Sequence, residues 1–261
     1  MLRTRPSSAT ASPAASSRPD GVGGLVAIHQ PNFLPRLTTL AKLYAADCRI
    51  VLDDVQFARR DYQHRARLAA LGDPDRRRWL TVPTHLPAGR PTLIRDAVIT
   101  DPCLARRRAE GIVREQYRPS PYWPLLAQAL EPVWDAFSTG RTSVVAETST
   151  RVFLDLLGWS GRTLKSSRLP ACTGRSGRLA DLTAVVGGDA YLCGTGGMTY
   201  LKEAPFIERG LAVIPFRPPA EGTWVGGRHT SALWALAALG PDAVAAELRT
   251  VANRHCLTAA H

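Results

Sequence analysis

A short, unbroken apolar segment at residues 25–28 restricts the folds that this chain can adopt. Four consecutive apolar residues predict a strand that is buried on both faces, which is typical of a parallel sheet. Apolar residues then recur at helical spacing over residues 34–46, and residues 49–52 predict a second buried strand. Two neighbouring strands joined by a helix run parallel, and the helix covers one face of the sheet. The start of the chain therefore predicts a βαβ unit.

The same alternation of strands and helices continues along the chain. Helices are predicted at residues 101–138, with breaks at Pro119 and Pro121, and at 144–159 and 179–186. Further strands are predicted at residues 79–83, 189–193 and 211–216. A short helix is expected before a polar turn at residues 73–78. The fold class predicted from this pattern is α/β, with a Rossmann-like parallel or mostly parallel sheet and helices on both faces.

The composition predicts one folded unit behind a tail. Residues 1–22 are Ser, Ala, Pro and Arg with almost no large apolar side chain, so they cannot offset the entropy of ordering and are expected to be disordered. Residues 23–261 are expected to form a single α/β domain, since a chain with 45% hydrophobic residues can bury its own core. No segment reaches the roughly 18–20 apolar residues of a bilayer span, and the N-terminus lacks a secretory signal. We expect a cytoplasmic protein with no membrane partner.

Cysteine and charge patterns limit the partners further. The five cysteines form no CxxC pair, so we expect reduced thiols and no metal site. The net charge is +11, and all but three of the 33 basic residues are Arg. This bias has two interpretations: the codon usage of a high-GC genome, or an Arg-lined surface for phosphate or carboxylate groups. No nucleic-acid partner is expected, because the Arg runs at 76–78 and 106–108 lack interleaved aromatic residues.

The loop after the first predicted strand carries His29, Gln30 and Asn32 between prolines. An imidazole there could bind phosphate or transfer a proton near neutral pH, so His29 is a candidate catalytic residue. Gln30 and Asn32 are candidate substrate-binding residues. The alternative interpretation is a histidine whose ring nitrogens are satisfied by the backbone of its own loop.

The loop after the second predicted strand begins with Asp53 and Asp54. Both are candidate catalytic residues that would orient the histidine or an amine substrate, and Gln56 and Arg65 are candidate substrate-binding residues. Arg65 would anchor an anion. The alternative interpretation is a solvated acidic turn that pairs with the arginines that follow it.

A third loop, after residues 189–193, is rich in glycine. Cys193, Gly194, Gly196 and Gly197 are candidate substrate-binding residues, since glycines let backbone amides approach an anion or a carbonyl group. A helix is expected to begin near Met198. The Cys193 side chain is interpreted either as a reactive thiolate or as a small buried residue at a strand end. Because parallel strands end at one edge of the sheet, the three loops are predicted to form a single pocket.

Several blocks of this sequence resemble the WbqC-like family of bacterial proteins. They are residues 28–35, 51–57, 79–83 and 189–194, in that order. The chain departs from the family pattern at Ala66, where Asn is usual, and at Cys193, where Ser is usual. The family's Ser-x-x-Asp element appears as Ser231 followed by Trp234. The resemblance makes Ser231 a further candidate substrate-binding residue.

The resemblance implies a role in bacterial surface-polysaccharide or specialised-metabolite biosynthesis. It suggests a transferase that moves an acyl or aminoacyl group onto an amine such as an amino sugar. The partner would be a small-molecule substrate together with a thioester donor or a carrier protein, and the cofactor stays open. A second hypothesis is a HIGH-type nucleotidyl transferase or an ATP-dependent ligase, although Asn32 stands where the second histidine of that motif would be. A third hypothesis is a non-catalytic module that binds a ligand or a carrier protein.

Overall fold

The computed structural model describes residues 24–258, so the predicted tail at residues 1–22 lies outside the described residues. A five-stranded, fully parallel sheet forms the centre of the fold. In spatial order its strands are β7 (Arg162–Lys165), β2 (Cys48–Val51), β1 (Gly24–His29), β8 (Gly188–Cys193) and β9 (Ala212–Pro215). This sheet, with helices around it, confirms the predicted Rossmann-like α/β fold.

Helices cover both faces of this sheet. One face packs with α1 (Leu37–Tyr44), α4 (Thr142–Leu156), α9 (Ala232–Leu239) and α10 (Pro241–Thr258) in the larger core cluster. The other face packs with α5 (Ser176–Val185) and α7 (Ala204–Ile207) in a smaller one. Within β1, Leu25 and Ala27 belong to the larger cluster, and Val26 and Ile28 to the smaller one. Burial on both faces explains why β1 is apolar throughout.

The segment between β2 and β7 adds structure beside the sheet. Besides α4, it contains the strands β3 (Arg65–Ala70), β4 (Asp73–Thr81), β5 (Thr84–His85) and β6 (Val98–Ile99), and the helices α2 (Pro102–Tyr117) and α3 (Trp123–Asp135). The interruption between α2 and α3 confirms the predicted break at Pro119 and Pro121. Strands β3 and β4 form one antiparallel hairpin, and β5 and β6 another.

The hairpin corrects two sequence-based expectations. The short helix expected before residue 73 is wrong, because β3 occupies that region, and residues 73–78 form part of β4 instead of a turn. In β3 the side chains of Ala66 and Leu68 are buried, whereas those of Arg65 and Arg67 are partly exposed. This period of two fits a half-buried strand, and pairing with β4 outweighs the helix preference of Ala, Arg and Leu.

Two short helices complete the second half of the chain: α6 (Thr195–Met198), directly after β8, and α8 (Thr223–Gly227). The helix expected near Met198 thus begins three residues earlier than predicted. Strand β1 connects through α1 to β2 on one side, whereas β7 connects through α5 to β8 on the other side of β1. The strand order therefore reverses between β1 and β8, and in open parallel sheets ligands bind in the crevice beyond such a reversal.

Candidate functional site

A cavity of about 760 Å³ lies at this reversal, between the loop after β1 and the loop after β8. Six of the predicted site residues contribute to its lining: His29, Gln30, Asn32, Gly194, Gly196 and Gly197. The carboxyl ends of β1 and β8 therefore bring the first and third predicted loops together. The volume is in the usual range for small-molecule sites.

The imidazole of His29 is held by Asn32 and Lys42. The Asn32 side-chain nitrogen donates to the carbonyl oxygen of Pro31 at 3.1 Å, which turns Asn32 Oδ1 towards His29 Nε2, also at 3.1 Å. An amide oxygen only accepts hydrogen bonds, so Nε2 carries the ring proton. His29 Nδ1 is then the unprotonated nitrogen, and it lies 3.4 Å from Lys42 Nζ. Lys42 Nζ also donates to the carbonyl oxygen of Ile28 at 3.0 Å.

Burial shapes the protonation of this pair. Loss of solvation, reinforced by the positive charge of Lys42, holds the pKa of His29 well below its usual range, so the imidazole is neutral at physiological pH. Burial also lowers the pKa of Lys42 to about 8, against a smaller opposite effect of Cys193. Only 5% of Lys42 is exposed, and it forms no ion pair with a carboxylate of the described residues. A buried cation without a counter-ion is unfavourable unless a ligand supplies the negative charge.

Arginine side chains give the cavity walls an excess of positive charge, since Asp61 is the one carboxylate among the described lining residues. Arg36, Arg217 and Arg228 line it with His29 and Lys42, and none of the three arginines forms an ion pair with a carboxylate among residues 24–258. The buried Nε of Arg36 has no hydrogen-bond partner there, and its Nη1 lies 3.5 Å from the Arg228 carbonyl oxygen. These guanidinium groups favour a phosphate or a carboxylate in the cavity.

Helix α4 fixes the loop that carries His29. The Thr150 hydroxyl donates to the carbonyl oxygen of Asn32 at 3.1 Å. The Ser149 hydroxyl donates to the carbonyl oxygen of Ala146 at 2.8 Å and, as a longer shared bond, to that of Asn32 at 3.3 Å. The Leu34 backbone amide donates to Ser149 Oγ at 2.9 Å. Leu34 has a φ of 44°, which is uncommon for a residue other than glycine. The surrounding hydrogen bonds hold the loop in this conformation and so preorganise Asn32.

The glycine loop packs closely on its neighbours. A Cβ atom at Gly197 would lie 2.6 Å from Cys193 Sγ, so only glycine fits without a shift. Cys193 itself is fully buried in the smaller core cluster, and burial raises the pKa of its thiol. Both observations favour the interpretation of Cys193 as a buried strand-end residue.

Asp53 and Asp54 do not contribute to the cavity lining. Asp53 accepts hydrogen bonds from the Ser167 backbone amide at 3.1 Å and the Ser167 hydroxyl at 2.9 Å. Asp54 accepts from Ser166 Oγ and forms an ion pair with Arg178 of α5. Partial burial raises the pKa of Asp54, but these two partners outweigh burial and hold the pKa below its usual range. The acidic pair thus ties the loop after β2 to the segment after β7 and to α5.

Three other predicted residues also lie outside the cavity lining. Gln56 is exposed and donates to the Arg90 carbonyl oxygen at 2.7 Å. Arg65 stacks on the Trp79 ring, with 4.4 Å between the guanidinium carbon and the ring centroid. Ser231 is buried and accepts a hydrogen bond from the Leu233 amide at the start of α9.

The two other departures from the family pattern are structural positions. Ala66 is buried in the larger core cluster. Trp234 is also buried in that cluster, and its indole nitrogen donates to the Ala70 carbonyl oxygen at 3.1 Å. Neither residue lines the cavity.

Sequence reasoning did not single out several cavity residues. Lys42 carried a detectable signal, since it is one of three lysines in an Arg-rich chain and lies within a predicted apolar helix. The missed lining residues with charged or imidazole side chains also include Arg36, Asp61, Arg217, Arg228 and His229, which come from loops without a recognisable pattern.

The fold and the site define a class: an α/β protein with a cation-lined ligand cavity where the strand order of a parallel sheet reverses. The chain belongs to the WbqC-like protein family, whose family model matches residues 30–221. It is 26% identical over 193 residues to the uncharacterized protein Rv1507c of Mycobacterium tuberculosis, which covers 73% of this chain and 81% of that relative. No solved structure matches the chain significantly. Among residues 24–258, no helix is both long and apolar enough to span a membrane.

Proposed function

We propose that this chain is a transferase of bacterial biosynthesis that moves an acyl or aminoacyl group onto an amine such as an amino sugar. The observation that carries the proposal is the contact between neutral His29 and buried Lys42 in a cavity whose walls are positively charged. Attack by an amine on an acyl donor releases a proton, and such a pair can accept it. The reaction would take place in the cytoplasm.

Each part of the site has a task under this proposal. Arg36, Arg217 and Arg228 would hold the phosphate groups of the acyl donor. Backbone amides of the glycine loop would face the carbonyl oxygen, where each donor typically contributes about 10²- to 10³-fold in rate. Asp53 and Asp54 would act indirectly, by fixing the loop after β2.

A basic and aromatic strip next to the cavity supports a carrier protein as the source of the donor. We define the strip as Arg36, Tyr62, Arg65, Arg67 and Trp79. The Arg36 guanidinium lies 4.4 Å from the Tyr62 ring, the Tyr62 and Trp79 rings are 5.7 Å apart, and Arg65 and Arg67 stack on Trp79 at 4.4 and 4.7 Å. Trp79 is 39% exposed. Exposed Trp, Tyr and Arg side chains are frequent in the centres of protein interfaces, and this strip suits an acidic partner.

The strand order favours a second candidate, a nucleotidyl transferase or ATP-dependent ligase. A histidine-bearing loop between β1 and α1, beside the strand-order reversal, is the layout of HIGH-type enzymes. The hydrogen bond between Asn32 and His29 counts against this candidate. Asn32 stands at the position of the second histidine, and its side chain binds His29 instead of facing a phosphate.

Ligand-induced stabilisation tests the proposal, because a bound ligand stabilises the folded state by mass action. We expect coenzyme A thioesters to raise the melting temperature, and a thioester with an amino sugar to give an amide detectable by mass spectrometry. Arg228→Ala should lose the shift, whereas Arg107→Ala, an exposed arginine of α2, should keep it. A shift with ATP alone would favour the ligase. A carrier protein that binds without any product would favour the non-catalytic module.

A further inference from the structure

The bonding of His29 leaves its ring without a free position for a substrate. Nε2–H faces Asn32 Oδ1, and the lone pair of Nδ1 faces Lys42 Nζ. A general base needs an unprotonated atom within hydrogen-bond reach of the reacting group. His29 therefore lacks the geometry of a direct base, although its position in the sequence suggests one.

Lys42 has the complementary geometry. A neutral amine has two N–H donors and one lone pair. Its donors have partners in the Ile28 carbonyl oxygen and His29 Nδ1, at 3.0 and 3.4 Å. No further hydrogen-bond partner of Lys42 occurs among residues 24–258, and its side chain lines the cavity. The lone pair is the position left for a ligand.

We infer that Lys42 is the acid–base residue of the cavity and that His29 is a positioning residue that orients its amine. The inference rests on the proposed transferase function. The substrate nitrogen forms a bond with the acyl carbon of a thioester, and its surplus proton passes to the Lys42 lone pair. The carbon–sulfur bond then breaks, and the departing thiolate takes that proton from Lys42. An amine and a thioester thus give an amide and a thiol, and Lys42 returns to its neutral form.

Burial favours the neutral form of the Lys42 amine, and the nearby thiol of Cys193 has a smaller opposite effect. Lys42 faces His29 at the end of β1 and Cys193 at the end of β8. Arg36, before α1, and Arg49, on β2, add positive charge near His29. An anionic substrate would raise the pKa of Lys42 and so favour its protonated form. Lys42 must be protonated at the step in which it gives a proton to the leaving thiolate.

The three lysines of the chain allow a direct test without a substrate. Protein labelled with ¹³C and ¹⁵N in lysine gives three side-chain resonances, assigned by Lys42→Arg, Lys165→Arg and Lys202→Arg. We expect Lys42 to titrate near pH 8. A titration of Lys42 in the range of an ordinary lysine would overturn the inference.

Kinetics separate the two residues. Lys42→Met should lower kcat for amide formation by about 10²- to 10⁴-fold with a small change in KM, and it should remove the pH dependence near pH 8. Exposed Lys202→Met is the matched control. His29→Asn should keep this pH dependence but shift its midpoint. If Lys42→Met retains the wild-type kcat while His29→Asn abolishes it, the roles are reversed and the inference fails.

The two readouts also separate this inference from the function on which it rests. If no thioester and amine substrate give an amide while Lys42 titrates near pH 8, the proposed function is refuted. The assignment of the Lys42 amine as the proton acceptor of the cavity then stands. Amide formation together with an ordinary Lys42 titration would refute the inference alone.

Discussion

Lys42 costs the folded state free energy at neutral pH. Its ammonium group is buried, its pKa is lowered to about 8, and no described carboxylate forms an ion pair with it. A methionine has a similar length and would fill the same space without a charge. Residues that serve function at the expense of stability are typical of binding sites.

Lys42→Met is therefore expected to raise the free energy of unfolding at pH 7 by about 1–3 kcal/mol, since each unit of pKa shift corresponds to ~1.4 kcal/mol. The pKa of Lys42 is about 8 in the folded state and 10.5 without the fold, so between these values the unfolded chain binds a proton that the folded chain has lost. Wild-type stability should then rise with pH across that window, and the advantage of the variant should shrink. Urea unfolding at pH 7 and pH 9.5 measures both effects. A variant less stable than wild type at pH 7 would contradict this reasoning.

The sequence pointed to His29, Asn32 and the glycines because polar or glycine-rich loops follow buried strands there. It did not point to Lys42, since periodicity identifies the buried face of α1 but not the cavity at one end of that face. Asp53 and Asp54 were candidate catalytic residues on the same grounds as His29, because they also follow a buried strand. Their partners Ser166 and Ser167 lie more than 110 positions later in the chain, and nothing local to the acidic pair signals them.

Asp53 and Asp54 join three pieces of the fold: the end of β2, the segment after β7, and α5. Asp53→Ala would leave the Ser167 amide and hydroxyl without their acceptor. Ser167 is partly buried, and a hydrogen bond to a charged group contributes about 1.5–3 kcal/mol. We expect this loss of unfolding free energy in chemical denaturation, with ligand-induced stabilisation retained. A folded variant of normal stability that no longer responds to ligand would instead give the acidic pair a direct role in the site.

The β3–β4 hairpin could not be predicted from the local sequence pattern of β3. Its Ala- and Arg-rich strand has no strong strand preference, and the pairing of Arg67 with Trp79 and of Ala66 with Leu80 determines its structure. That pairing also creates the basic and aromatic strip, which the linear run of arginines at 76–78 does not reveal.

Charge reversal at Arg67 tests the strip. Arg67→Glu is expected to weaken binding of an acidic acyl carrier protein by at least about tenfold and to reduce the salt dependence of binding, since like charges across an interface oppose association. Titration calorimetry at low and moderate salt measures both quantities. Arg107→Glu makes the same change of charge on α2 and should bind as the wild type does. If both variants bind the carrier protein equally weakly, the loss of binding comes from the change in net charge and not from the strip.

The fold class follows from the uniformly apolar strands, β1 above all. The position of the site does not follow, because it depends on the order of the strands. Edge strand β7 has two exposed residues and two partly buried ones, so no apolar run predicts it, and its pairing with β2 spans more than 100 residues. The reversal itself depends on β8 pairing with β1 on the side opposite to β2, between residues more than 160 positions apart.

Metal removal is expected to leave the molecule unchanged. The cysteines are scattered in sequence, and no group of three or more His, Cys, Asp or Glu side chains within residues 24–258 is arranged to hold a metal ion. The melting temperature with EDTA should equal that in buffer, and added Zn²⁺ should not raise it. A marked destabilisation by EDTA would refute this expectation.

The hydrogen bonds from α4 to the His29 loop have a consequence for the order in which the protein assembles. During synthesis β1, α1 and β2 leave the ribosome first, but the hydroxyl groups that hold Asn32 and Leu34 are encoded 115 to 118 positions later. A nascent chain can therefore pair its first two strands long before it can shape the loop beside them. Completion of the cavity waits for α4, then for β8, and finally for the segment that carries Arg217 and Arg228, so an incomplete chain has part of the sheet and no complete binding site.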